Sequence, residues 1–69
     1  MRAIITRPNL DNSYDEVGMN NRISTKEYKT IPGIIKNAIP KHFKGKIRIE
    51  LYQNIYAINP IKTIFVERN

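Results

Sequence analysis

Seven consecutive residues set the tightest limit on the fold. From Lys46 to Tyr52 the chain reads Lys-Ile-Arg-Ile-Glu-Leu-Tyr, polar and apolar in strict turn. In an extended chain successive side chains point to opposite faces. Ile47, Ile49 and Leu51 therefore share one face, and Lys46, Arg48, Glu50 and Tyr52 the other. A period of two is wrong for a helix and right for a strand with one buried and one wet face. That is the pattern of an antiparallel sheet covered on one side. The wider composition agrees. Thirteen residues are Ile and only two are Leu; β-branched side chains are stiff at χ1 and favour strands.

The rest of the chain can be placed around this strand. Residues 2–7 predict a short strand, stopped at Arg7-Pro8 because proline has no N–H for a ladder. Residues 8–22 hold Asn9, Asp11, Asn12, Ser13, Asp15, Gly18, Asn20 and Asn21, the composition of a long polar loop. Connections of that length in small domains tend to be functional, or ordered by a partner. Ser24-Thr25-Lys26-Glu27 matches a capping box and predicts a short helix from Thr25. Thr30 as cap, with Pro32 in the first turn, gives a second start. Ile31, Ile34, Ile35 and Ala38 then fall on one helical face, with Ile39 beside them. The expectation is a broken helical region over 25–43, helical over about 31–39 and bounded by Pro40 and Gly45. After a turn near Gln53-Asn54, residues 54–58 predict extended chain, and Asn59-Pro60 a turn. Residues 61–67 predict the last strand, with Ile64-Phe65-Val66 buried on both faces, so that 46–67 forms a β-rich C-terminal half. The expected fold is a small single α+β domain of order β-α-β-β-β. Its antiparallel sheet has three to four strands, with one broken helix packed on one face.

At 69 residues the chain has material for one core and no more. Without cysteine it has no disulfide framework and no thiolate metal site, so packing and association must supply stability. Its uninterrupted apolar stretches reach three or four residues, as in Ala3-Ile4-Ile5 and Ile55-Tyr56-Ala57-Ile58. A secretory h-region needs about 7–15 and a membrane span about 20. The expectation is a protein with no membrane association, in the cytoplasm of a bacterial or phage-infected cell. Ile, Asn, Lys, Tyr and Phe make up 34 of the 69 residues. Their codons are rich in A and T, which points to a low-GC bacterium, a phage or a mobile element.

The net charge of +6 is concentrated. Residues 36–48 carry Lys36, Lys41, Lys44, Lys46 and Arg48 and no acid, a net of +5, and include His42 and Phe43. Lys41 and Lys44 stand where the helical region gives way to the strand. Lys46 and Arg48 share its wet face, roughly 6–7 Å apart. Such a cluster attracts phosphates and displaces their counterions. Tyr52 lies on the same face and could stack on an unpaired base. The plainer readings are also open. Lysines near a helix C-terminus complement its dipole, charges on an exposed strand deter aggregation, and an acidic protein would meet the same cations. The acids Asp11, Asp15 and Glu16 read as a solvated loop; they lack EF-hand spacing, and no metal or cofactor is expected.

Catalysis finds little support in the residues. His42 is the single histidine, and Ser13 and Ser24 lie outside any G-x-S-x-G context. A toxin-type ribonuclease would use His42 with Lys44, Arg48 or Tyr52. The expectation is nevertheless a non-enzymatic binding protein, acting on nucleic acid or on a nucleoprotein machine through Lys36, Lys41, Lys44, Lys46, Arg48 and Tyr52. The rival is a phage-type inhibitor that binds and blocks a host protein, such as a defence or transcription complex. Tyr28, Tyr52, Tyr56 and Phe65, with the Ile-rich strands, would supply its surface. Residues 54–58 would be an edge strand, open to a partner or to a homodimer. Basic charge excludes a carboxylate-covered mimic of DNA.

Overall fold

A computed structural model describes residues 1–14 and 21–69. Four strands and one helix follow in the order β1 (Arg2–Thr6), β2 (Arg22–Ser24), α1 (Ile31–Asn37), β3 (Gly45–Tyr52) and β4 (Lys62–Arg68). The strands form one sheet in the order β2-β1-β3-β4, with every pair antiparallel. The expected architecture is therefore present: a small α+β domain with one helix on one face of an antiparallel sheet.

The alternation in β3 organises both faces. Ile47, Ile49 and Leu51 point to the helix side and are fully buried. Register brings Ala3 opposite Leu51 and Ile5 opposite Ile49 on one flank. On the other flank it brings Val66 opposite Ile47 and Ile64 opposite Ile49. Ile34, Ile39 and Phe43 close the core from above, and Ile23, Tyr28, Ile31, Ile35 and Ala38 pack around it. Burial of this kind contributes about 1.5–3 kcal/mol for each large side chain.

Helix α1 begins where the second expected start lies. Thr30 is extended (φ −138°), and its hydroxyl accepts from the Gly33 N–H at 3.2 Å. Pro32 sits in the first turn, where no N–H is needed. Seven residues are too few for a helix to be stable alone, so the isoleucines on its inner face hold it. Beyond it, the Phe43 N–H turns back to the Pro40 carbonyl at 3.0 Å. Gly45 then opens β3 with φ +87°, and a Cβ there would stand 3.0 Å from Pro8 Cγ. Both facts call for glycine.

Four expectations need correction. No helix starts at Thr25. Ser24 ends β2, and the Thr25 hydroxyl instead accepts from the Ala3 N–H at 2.9 Å. Glu27 pairs with the Met1 amine at 2.9 Å rather than reaching back to Ser24. The sheet has claimed the groups of the capping box. Accordingly the helical region of 25–43 reduces to 31–37. Residues 54–58 form no edge strand. The Asn54 side chain accepts from the Tyr56 N–H at 2.9 Å and turns the chain, while the Ile61 N–H closes the loop on the Leu51 carbonyl at 2.7 Å. The edges are β2 and β4, and the strand missing from 54–58 is replaced by β2, which starts at the last residue of the expected loop. The run Ile64-Phe65-Val66 is not buried on both faces. The helix covers one side only, and Phe65 points to the other, 49% exposed. Of the expected loop, 8–14 and 21–22 are described; the expectations for Asp15 and Glu16 lie outside the described residues.

Among the described residues no helix is long and apolar enough to cross a membrane. Ile49→Ala, at the middle of β3, is expected to cost about 2–5 kcal/mol, comparable with the whole stability of about 3–5 kcal/mol that so small a core supplies. Ile58→Ala, in the exposed loop, is expected to change stability by less than about 0.5 kcal/mol. Urea unfolding followed by circular dichroism separates the two.

Candidate nucleic-acid interface

The face of the sheet away from α1 carries the polar half of each strand. Register sets out its rows. Arg22, Thr6, Arg48 and Phe65 lie side by side across all four strands. One step along lie Ser24, Ile4, Glu50 and Thr63, and one step the other way Lys46 faces Glu67. Tyr14 lies over this face. Its hydroxyl donates to the Lys46 carbonyl, its ring stands 5.0 Å from the Arg48 guanidinium carbon, and it meets the Phe65 ring at 5.9 Å and 57°.

The antiparallel topology gathers cations at one end of the sheet. β1 and β4 finish there, and β2 and β3 begin there. Arg7, Arg22 and Arg68 thereby join Lys44 and Lys46, although they are scattered along the chain. The turn holding Lys41, His42 and Phe43 leads into the same end. Acids are present as well. Glu67 stands opposite Lys46, and Asp11 lies in the adjoining loop. Its carboxyl is held below the ordinary value by hydrogen bonds from the Ser13 hydroxyl and then the Ser13 N–H. A depression of about 190 Å³ beside Arg7 is lined by Pro8, Asn9, Leu10 and Asn21, smaller than the roughly 300–1,000 Å³ of small-molecule sites.

The expected binding residues divide into three groups. Lys41, Lys44 and Lys46 stand together around the start of β3, all exposed. Lys36 is exposed on the last turn of α1, in the other layer. The side chains of Lys36, Lys41 and Lys44 form no ion pair or hydrogen bond among the described residues. Arg48 is half-buried, 3.4 Å from Glu50 and stacked on Tyr14, so part of its charge is already answered. Tyr52 shares the face but not the place. Four residues along a strand is about 13 Å, and its ring is 7% exposed. Arg2 covers it, with the guanidinium carbon 4.3 Å from the ring centre. The same guanidinium donates to Ser24 Oγ and to the Ala57 carbonyl, each at 3.3 Å. Tyr52 thus anchors the 53–61 loop and is closed to a base.

The aromatics that do stand among the cations are Phe65, which the sequence suggested only as surface for a protein partner, and Tyr14, which it did not single out. Lys46 Nζ lies 5.2 Å from the Phe65 ring centre. A three-residue apolar run conceals which member faces out, and a tyrosine in a polar loop has no periodicity to reveal it. His42 is exposed, its ring edge-on to Phe43 at 5.0 Å. Among the described residues no group of His, Asp or Glu is arranged to hold a metal ion.

The opposite end of the sheet has another character. The loop from Gln53 to Ile61 carries no charge. Its Tyr56 and Ile58 are 85% and 89% exposed, and Ile55 and Ile61 are exposed too. The chain matches no family model, no curated protein and no solved structure.

Proposed function

We propose that this is a non-enzymatic protein that binds nucleic acid, alone or within a nucleoprotein machine, through the basic end of its sheet. The observation that carries the reading is the group of Lys41, Lys44 and Lys46. All three are exposed, and Lys41 and Lys44 have no carboxylate partner among the described residues. Lysines answered by acids would serve the fold; lysines left in water are available to phosphates. Arg7, Arg22 and Arg68 widen the field at the same end, and Lys36 extends it onto the helix layer. Arg48 gives the patch a fixed guanidinium rather than a mobile one.

Binding is expected to weaken steeply between about 50 and 200 mM salt, as counterion release requires. Lys41→Glu with Lys44→Glu is expected to weaken it and to make the salt slope shallower by about 1–2. Fluorescence anisotropy with a labelled oligonucleotide measures both, and the oligonucleotide is expected to come through intact. Binding by the wild type that ignores salt, or a double variant that binds unchanged, contradicts the proposal.

A second reading is favoured by the 53–61 loop. An uncharged tip with four large exposed apolar side chains suits contact with a protein, where Tyr is enriched among the residues that carry binding energy. In this reading the chain is a phage- or mobile-element-encoded inhibitor of a host protein. Tyr56→Ser with Ile58→Ser is then expected to abolish capture of that protein while leaving the fold and oligonucleotide binding as they are. Capture that survives both substitutions contradicts it.

A further inference from the structure

The helix-free face narrows the kind of nucleic acid. We propose that it takes single-stranded nucleic acid, with one unpaired base stacked on the ring of Phe65 and the adjoining phosphate held by Lys46. The inference rests on the nucleic-acid reading of the basic end and adds to it a site and a ligand class.

Phe65 is placed as a stacking residue should be. It sits mid-strand in β4, so its backbone is fixed by pairing with β3 on both sides of Arg48. Its ring is 49% exposed on a face whose neighbouring positions are Arg48, Thr63, Glu67 and Lys46. Two aromatic rings ringed by polar groups offer little to an apolar protein surface, which seeks a larger contiguous apolar area. To a base Phe65 offers a π-face over which the Lys46 ammonium now lies, a mobile cation that turns from the ring to the phosphate when a base takes its place. Lys46 Nζ already stands 5.2 Å from the ring centre, within reach of a phosphate attached to a base lying there. Tyr14 meets the same ring at 5.9 Å between centres and 57° and bounds the shelf. β4 pairs with β3 alone among the described residues, so its outer edge leaves room for a sugar–phosphate backbone. From Lys46 the cations continue through Lys44 to Lys41, a track for the nucleotides that follow.

A duplex does not satisfy this shelf. Its bases are stacked on one another, and their π-faces are closed to a protein side chain. Base–aromatic stacking is tolerant of sequence because each base has such a face. The proposal therefore expects a preference for single strands with little discrimination among bases.

The test uses the whole protein and oligonucleotides of about 12 nucleotides, within the range of about 4–16 that known single-strand sites span: oligo-dT, oligo-U and a duplex of the same length. Phe65→Ile keeps the bulk and strand preference of the position and removes the π-face. Phe65→Trp keeps the π-face and introduces the only tryptophan in the chain. Circular dichroism checks that both remain folded. The wild type is expected to bind a single strand more tightly than the duplex. Phe65→Ile is expected to weaken single-strand binding about tenfold, with the salt slope and duplex binding unchanged. Phe65→Trp is expected to bind as the wild type does and to lose emission as the single strand is added. The oligo-dT and oligo-U arms tell DNA from RNA. Single-strand binding unaltered in Phe65→Ile, or tryptophan emission unaltered at saturation, overturns the proposal. If Lys41→Glu with Lys44→Glu still weakens binding in that event, the stacking site alone falls and the basic end stands. A wild type that binds none of the three at low salt overturns both.

Discussion

β3 is held between β1 on one flank and β4 on the other, and the rest of the molecule depends on that placement. Its three inward side chains, Ile47, Ile49 and Leu51, lie at the floor of the core. Because the side-chain period is two, a slip of one residue would send them into water and bring Lys46, Arg48 and Glu50 under the helix. Desolvating those charges would cost far more than so small a domain can withstand. The register is thus enforced by the core. The same register sets Arg48 between Thr6 and Phe65, and Lys46 beside the Phe65 ring. One alternation fixes both what the protein buries and what it displays.

The larger group of cations and the uncharged apolar loop lie at opposite ends of the strands. The cations of 41–48 meet Arg7, Arg22 and Arg68 at one end because antiparallel pairing brings those strand termini together. The uncharged 53–61 loop occupies the other end, since it joins β3 to β4 there. Arg2 ties that loop down through Ala57 and Tyr52 and so belongs to the fold, far from the basic group. Counting positive residues alone would have treated Arg2 and Lys44 alike. Their surroundings separate them: one is enclosed by a ring, a hydroxyl and a carbonyl, and the other is in water.

Much of the fold was legible in the sequence wherever a pattern was long enough to repeat. β3 shows its period over seven residues, and α1 shows its cap, its proline and its apolar spacing together. What escaped was decided by partners distant in sequence. β2 has three residues, too few for a period, and exists because β1 offers it an edge. Ser24 to Glu27 has the form of a helix cap, yet Ala3 and Met1 engage Thr25 and Glu27 first. Ile55, Tyr56 and Ile58 have the composition of a strand, but the Asn54 side chain bends the chain. The candidate interface was half legible. Lys41, Lys44 and Lys46 stand where the charge count placed them. Arg7, Arg22 and Arg68 join them only through topology, and Phe65 rather than Tyr52 stands beside them because Tyr52 lies at the far end of the same face, under Arg2.

The most direct test of this account is a nitrogen-15 NMR titration of the protein with a single-stranded oligonucleotide. The account predicts that amides of residues 41–48 and 64–68 shift together, while those of 53–61 stay in place. Shifts confined to 53–61, or none at low salt, would contradict it.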